Sequence, residues 1–143
     1  MMEDIHKKIK KKLLSIVKKQ QIPHIIFHGE SGCGKKVLLQ FLLEQIYKNI
    51  DESKRKDYIL YVNCILSKGI RYFREELKFF AKTNILNSNN TIFKSIILLN
   101  ADNLTIDTQS ALRRCIEKYS HTTRFFIVVE NKERLLKPIL SRF

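Results

Sequence analysis

The stretch that decides the fold reads His24-Ile25-Ile26-Phe27-His28-Gly29-Glu30-Ser31-Gly32-Cys33-Gly34-Lys35-Lys36. A short apolar run leads into a glycine-rich turn, and a helical pattern begins near Lys35. The chain has four glycines, and three of them lie in this turn. Glycine lets consecutive backbone N–H groups curl around an anion, where a Cβ would obstruct them. The following helix points the positive end of its dipole at the same place.

The spacing of this turn, Gly29, four residues, Gly34 and Lys35, is that of a phosphate-binding P-loop. Lys35 would reach the terminal phosphates of ATP or ADP. The alternative is a strand-to-helix turn that binds no ligand. The residues predicted to bind nucleotide are Gly29, Glu30, Ser31, Gly32, Cys33, Gly34, Lys35, Lys36 and Val37.

One position departs from the P-loop pattern. The residue after the lysine is normally Ser or Thr, whose hydroxyl ligates Mg²⁺. Lys36 stands there, and Val37 follows. An ammonium group repels a cation, so Mg²⁺ binding is doubtful, and we predict no metal ligands elsewhere. Either the site holds nucleotide with little help from metal, or it has drifted from use.

Length and composition indicate one domain of an intracellular protein. The chain has 143 residues, of which 44% are hydrophobic. No apolar run approaches the roughly 18 residues of a membrane span, and nothing at the N-terminus is typical of a signal peptide. The three cysteines are widely spaced, which favours reduced thiols. We therefore expect no membrane partner.

Charge is the strongest compositional signal. The chain has 27 Lys and Arg against 14 Asp and Glu, a formal net charge of +13. This excess favours an anionic partner, and nucleic acid is the first candidate. Residues 3–19 predict a helix with one apolar stripe and lysines on its other faces, among them the DNA-contact candidates Lys7 and Lys8. The alternatives are a solvated basic face and a coding bias, at which the asparagine-rich residues 84–90 hint.

The order of apolar runs and helical patterns predicts an α/β fold. Strands are expected at 25–27 (central in the sheet), 58–62, 95–99 and 125–129, and helices at 3–19, 35–48, 67–82 and 105–119. Thr105 is the expected N-cap of the last helix. Residues 49–57 and 83–94 are expected to be loops, and 132–137 a helical turn. Alternating strands and helices favour a doubly wound parallel sheet with nucleotide at its carboxyl edge. We divide the chain into a basic N-terminal helix, 1–20, packed on a nucleotide-binding core, 21–143.

The most specific stretch is Asn100 to Ser120, NADNLTIDTQSALRRCIEKYS. It resembles the segment that follows Walker B in small subunits of replication factor C, and residues 124–129 and 138–143 continue the similarity. The resemblance spans about 10–143 and implies a P-loop NTPase fold of the AAA+ type. It also implies a clamp-loader function in DNA replication or repair, with other clamp-loader subunits, a sliding clamp and duplex DNA at primer–template junctions as partners. In a eukaryote the protein would be nuclear. The run Gly34-Lys35-Lys36 is similar to a subtype that binds nucleotide but hydrolyses it weakly or not at all.

The chain departs from this family where catalysis is concerned. The two Walker B carboxylates fall on Leu99 and Asn100, although Asp102 is retained nearby. The sensor-1 asparagine position holds Glu130, with Asn131 beside it. The family's fifth strand, lid and collar are expected to be absent, so that the core is incomplete at its C-terminus. Any ATPase activity of the chain alone is therefore expected to be small or nil.

Arginines carry the remaining candidate functions. The resemblance makes Arg142 an arginine finger for a neighbouring subunit's ATP, and a chain-terminal arginine without a partner is the alternative. Arg113 and Arg114 are candidate DNA contacts. Three functions remain open: a clamp-loader-like subunit, which we favour, an autonomous P-loop ATPase in which Asp102 substitutes for the lost carboxylates, and a non-enzymatic basic DNA-binding fragment.

Overall fold

A computed structural model describes residues 2–19, 22–29, 34–66, 70–82, 93–120 and 122–130. The elements within these ranges alternate between helices and strands. The helices are α1 (Met2–Lys18), α2 (Lys35–Ile46), α3 (Glu52–Arg55), α4 (Ile70–Lys82) and α5 (Ile106–Tyr119). The strands are β1 (Ile25–His28), β2 (Ile59–Asn63), β3 (Lys94–Leu99) and β4 (Thr123–Val129). Two single 3-10 turns, Cys64–Leu66 and Ala101–Asn103, follow β2 and β3.

The four strands form one parallel sheet in the order β1-β4-β3-β2. β3 and β4 are central, and their near-continuous apolar runs are buried on both faces. This confirms the predicted doubly wound parallel sheet. The expectation that 25–27 forms a central strand is wrong for the described residues, because β1 pairs only with β4 there. A short apolar run does not distinguish an edge from a centre, since helices cover both faces in either place.

Helices cover the two faces of the sheet. On one face, α1 and α2 bury Leu13, Leu39 and Leu42 against Ile97 and Phe126 of the central strands. On the other face, α4 and α5 bury Leu77, Leu112 and Ile116 against Ile96 and Phe125. Alternate residues of β3 and β4 therefore belong to opposite cores, as the period-2 geometry of a strand requires. No helix in the described part of the chain has the length and apolar character needed to span a membrane.

Local signals set several element boundaries correctly. Thr105 is the N-cap of α5, as predicted, and its Oγ1 accepts a hydrogen bond from the Thr108 backbone N–H at 3.2 Å. The expected loop 49–57 is corrected, because α3 forms within it. Lys94 was expected in a loop but begins β3, where it is buried and its Nζ donates to the Phe80 carbonyl oxygen at 2.7 Å. The predicted helical turn at 132–137 lies outside the described residues.

His24 fixes the entry to β1. Its Nδ1 accepts a hydrogen bond from the backbone N–H of Phe125 at 3.0 Å, and its ring meets the Phe125 ring edge-on at 5.5 Å. Burial and, to a smaller extent, the charge of Arg124 lower the pKa of His24 from 6.5 to about 4. The ring is therefore neutral at physiological pH, as its role as an acceptor requires.

We expect this histidine to make the fold less stable in mild acid. The unfolded chain binds a proton at His24 below pH 6.5, whereas the folded chain resists it down to about pH 4, so stability falls as the pH drops through this window. After allowance for a half-buried ring, the loss is about 1–2 kcal/mol. Chemical denaturation at pH 7.5 and 4.5 measures it. A His24→Asn chain should lose this part of the pH dependence, and a His28→Asn chain, altered at an exposed ring, should keep it. Equal pH dependence in wild type and His24→Asn would contradict this interpretation.

Candidate nucleotide site

The turn from β1 to α2 requires glycine at both of its described ends. Gly29 has φ 149° and Gly34 has φ 86°, conformations that strain a residue with a Cβ. Gly34 is the N-cap of α2, and its carbonyl oxygen accepts a hydrogen bond from the Leu38 N–H at 3.1 Å. Because no side chain caps this helix, the N–H groups of its first turn can serve an anion.

Lys35 closes this turn on itself. Its Nζ donates a hydrogen bond to the Gly29 carbonyl oxygen, so the side chain runs back across the loop that a phosphate would enter. Lys36, the next residue, is exposed, and so is Val37. The loop candidates Glu30, Ser31, Gly32 and Cys33 lie outside the described residues.

A groove of about 360 Å³ opens at the N-terminus of α2. It brings together candidates that are far apart in sequence, because the carboxyl ends of parallel strands meet at one edge of the sheet. Its lining residues are Gly34, Lys35, Lys36, Val37, Asn100, Val128, Val129 and Glu130. The structure thus places Lys35, Lys36, Asn100 and Glu130 around one opening, which we call the phosphate groove. Asn131 lies outside the described residues.

Asn100 is held by hydrogen bonds where the family has its glutamate. It adopts the left-handed conformation, φ 59°, which asparagine tolerates better than most side chains. Its backbone N–H donates to the Val128 carbonyl oxygen at 2.9 Å, and its Nδ2 donates to Oδ1 of Asn63 at 3.2 Å. The same Asn63 oxygen accepts the N–H of Ile65 at 3.1 Å. An amide fixed in this way orients groups in the groove, but it cannot remove a proton from water.

The other two positions of the former Walker B segment do not line the phosphate groove. Leu99 packs into the apolar cluster beneath α1 and α2. Asp102 lies in the 3-10 turn after β3, close to Cys64. Burial raises the pKa of the Cys64 thiol to about 12, and the negative charge of Asp102 adds to that rise. This position disfavours Asp102 as a substitute catalyst.

The residues of the phosphate groove do not fit a magnesium ion. Mg²⁺ prefers oxygen ligands, usually one or two carboxylates with water and substrate phosphates. Lys36 replaces the ligating hydroxyl and Leu99 the ligating carboxylate, and two ammonium groups line the groove. Across the described residues, no group of three or more His, Cys, Asp or Glu side chains could hold a metal ion.

An apolar cavity of about 650 Å³ adjoins the phosphate groove, and Lys35 lines both. It lies between α1, the strand β1 and the start of α2. Its walls include Ile9, Leu13 and Ile16 of α1 and Ile25 of β1. Sequence reasoning missed this cavity. The available signal was the apolar stripe of α1, which is wider than the surface that α2 covers.

A second groove, of about 300 Å³, runs between α4 and α5 and is strongly basic. Arg74 and Lys78 of α4 face Arg114 and Lys118 of α5 across it, each pair four residues apart along one helix face. Its floor is Ala111, Cys115 and Tyr119. We call it the basic groove. Sequence reasoning assigned Arg74 and Lys78 only to a solvated face and did not join them to Arg114.

The other DNA candidates point elsewhere. Arg113 is half-buried, does not line the basic groove, and its Nε is buried without a hydrogen-bond partner. Neighbouring residues of a helix are turned by about 100°, which separates Arg113 from Arg114. Lys7 and Lys8 are exposed on α1, over the opposite face of the sheet from α4 and α5. Arg142 lies outside the described residues.

Comparisons with solved structures define the class. A RuvB variant of Thermotoga maritima covers all of this chain with a TM-score of 0.68 at 13% identity, and the chain spans 44% of it. A DNA polymerase III gamma subunit-related protein of the same organism covers 93% of the chain with a TM-score of 0.66 at 19% identity, and the chain spans 43% of it. With the glycine-rich turn and the strand order, these likenesses define a P-loop NTPase fold of the AAA+ type.

Sequence comparison identifies the family. No model of a known protein family matches the chain. Replication factor C small subunits do: that of Sulfolobus acidocaldarius is 38% identical over 136 residues, 95% of this chain and 40% of that protein. The small subunit of Methanocella arvoryzae is 37% identical over 143 residues, 99% of this chain and 42% of that protein. Subunit 2 of Schizosaccharomyces pombe is 36% identical over 138 residues, 94% of this chain and 38% of that protein. The chain therefore belongs to the replication factor C small-subunit family, and it spans about two fifths of the length of these relatives.

Proposed function

We propose that this chain is the nucleotide-binding part of a clamp-loader-type subunit that holds ADP or ATP and does not hydrolyse it alone. The observation that carries this proposal is the composition of the phosphate groove. Lys35, Lys36 and the start of α2 supply positive charge there, whereas Leu99 and Asn100 supply no base. Calorimetric titration of the wild type and a Lys35→Ala chain with ADP tests the binding half of this proposal.

The nucleotide's two ends have separate places in this proposal. The phosphates lie in the phosphate groove, and the base and ribose lie in the apolar cavity that shares Lys35. The volume of each cavity falls in the range of small-molecule sites. The affinity is expected to be micromolar or weaker, since Mg²⁺ contributes little.

Assembly with other subunits follows from the family. The relatives are named as small subunits of replication factor C, which supports a hetero-oligomeric clamp loader as the working form, acting with a sliding clamp in the compartment that holds DNA. Arg142 is our candidate arginine finger for a neighbour's nucleotide, and a finger acting in trans is worth about 10³–10⁵ in rate in GTPases. The run Gly34-Lys35-Lys36 supports the non-hydrolysing subtype. The autonomous ATPase is less well supported, because Asp102 does not line the phosphate groove.

Duplex DNA is the second ligand that we propose, and the basic groove is the surface that favours it. Four cations from two helices line this groove, a spacing that suits phosphates along a backbone rather than base edges. Binding is therefore independent of sequence. The lysines of α1 are the rival surface, on the other face of the sheet.

Salt dependence separates these two surfaces. With two to four phosphates neutralised, the slope of log K against log salt is expected to be about −2 to −4. Replacing Arg114 and Lys118 by Gln should weaken binding and flatten the slope by about 1–2. The matched control replaces Lys7 and Lys8 by Gln and should leave the slope nearly unchanged. Fluorescence anisotropy with a short labelled duplex measures both. If the control pair carries the loss, α1 explains the binding and the basic groove does not.

A further inference from the structure

The phosphate groove poses a question of charge, since its residues do not fit the magnesium ion that accompanies nucleotides in most P-loop proteins. We propose that this groove selects a nucleoside diphosphate without a divalent cation, with the Lys36 ammonium in the cation's place and the Glu130 carboxylate disfavouring a third phosphate. This inference rests on the proposed nucleotide binding and adds to it the identity of the preferred ligand.

Lys36 is placed to neutralise phosphate. It lies in the first turn of α2, directly after Lys35, and both side chains line the groove. The N-terminus of this 12-residue helix adds its partial positive charge. Lys36 is exposed, and a lysine ammonium is a compact charge on a flexible stem with three donors. Two ammonium groups and a helix terminus can therefore balance much of the charge of a diphosphate.

Glu130 limits what else can enter. It follows directly after β4, and Val129 pairs with His28 of β1. The sheet register therefore places Glu130 beside Gly29, at the start of the phosphate loop. The carboxylate lines the same groove as Lys35, the residue that reaches terminal phosphates in P-loops. A third phosphate would bring further negative charge close to this carboxylate. At separations of a few ångströms near a protein surface, such repulsion weakens binding by about tenfold.

The experiment is calorimetric titration with ADP and ATP, each in EDTA and in Mg²⁺, on the full chain. The wild type is expected to bind ADP in EDTA, to bind ATP about tenfold more weakly, and to gain less than about threefold for ADP from Mg²⁺. Glu130→Gln should remove most of the difference between ATP and ADP and leave ADP affinity unchanged. Lys36→Thr should weaken ADP binding in EDTA by about tenfold, because one ammonium is lost.

Matched controls use exposed residues near the far end of α2. Glu44→Gln and Lys48→Thr make the same changes away from the groove and should alter neither ratio. Equal affinity for ATP and ADP in EDTA, or a large gain for ADP from Mg²⁺, overturns this inference and leaves the proposed nucleotide binding intact. Failure of the wild type to bind either nucleotide overturns the proposed function and this inference with it.

Discussion

Purified alone, the chain is expected to hydrolyse ATP at least about 100-fold more slowly than an AAA+ ATPase that carries both Walker B carboxylates. Loss of a positioned general base costs about 10²–10⁴ in rate. Here the base position holds Asn100, whose amide is bonded to Asn63, and the metal position holds Leu99, which packs beneath α1 and α2. Neither side chain can activate water or hold Mg²⁺. A steady-state phosphate-release assay measures the rate.

Variants identify the source of any rate that is found. Turnover comparable to that of an active AAA+ enzyme, and lost in a Lys35→Ala chain, would refute the assignment of a non-hydrolysing site. A rate lost in Asp102→Asn would instead make Asp102 the base, against its place beside Cys64. A rate lost in Glu130→Gln would assign that role to the carboxylate of the phosphate groove.

Replacement of Lys35 by Ala is expected to weaken ADP binding by about 100-fold or more. The ammonium supplies charge-assisted hydrogen bonds to phosphate, and each such bond contributes about 1.5–3 kcal/mol. In the structure this ammonium already lies over the loop, bonded to the Gly29 carbonyl oxygen, so little reorganisation precedes binding. Calorimetric titration measures the loss.

Lys48→Ala is the matched control for this substitution. Lys48 is exposed in the turn after α2 and should bind ADP as the wild type does. Circular dichroism of both variants checks that the fold is retained. Equal ADP binding by wild type and Lys35→Ala would remove the P-loop assignment.

Much of the fold could be predicted because the signals are local. The strands β3 and β4 are buried on both faces, so their sequence is a continuous apolar run that needs no partner to be recognised. Thr105 announces the start of α5 because a capping hydroxyl acts within three residues. The edge position of β1 could not be predicted, because strand order depends on contacts between distant segments.

The site was predictable in part. The glycine spacing locates the loop, and the family resemblance indicates Leu99, Asn100 and Glu130. Their different surroundings were not visible: Asn100 bonds to a residue 37 positions away, and Leu99 turns into a core. Lys94 shows the same limit, since its burial depends on the Phe80 carbonyl of another element. The basic groove was missed because its cations come from two helices that only the fold brings together.

The central claim is that nucleotide binds at the phosphate groove. Amide ¹H–¹⁵N spectra recorded during titration with ADP in EDTA test it residue by residue. We predict that the amides of Gly34, Lys35, Lys36, Asn100 and Glu130 shift in one saturable process, while those of Arg74 and Arg114 stay unchanged. Shifts confined to the basic groove, or no shifts at millimolar ADP, would contradict the account.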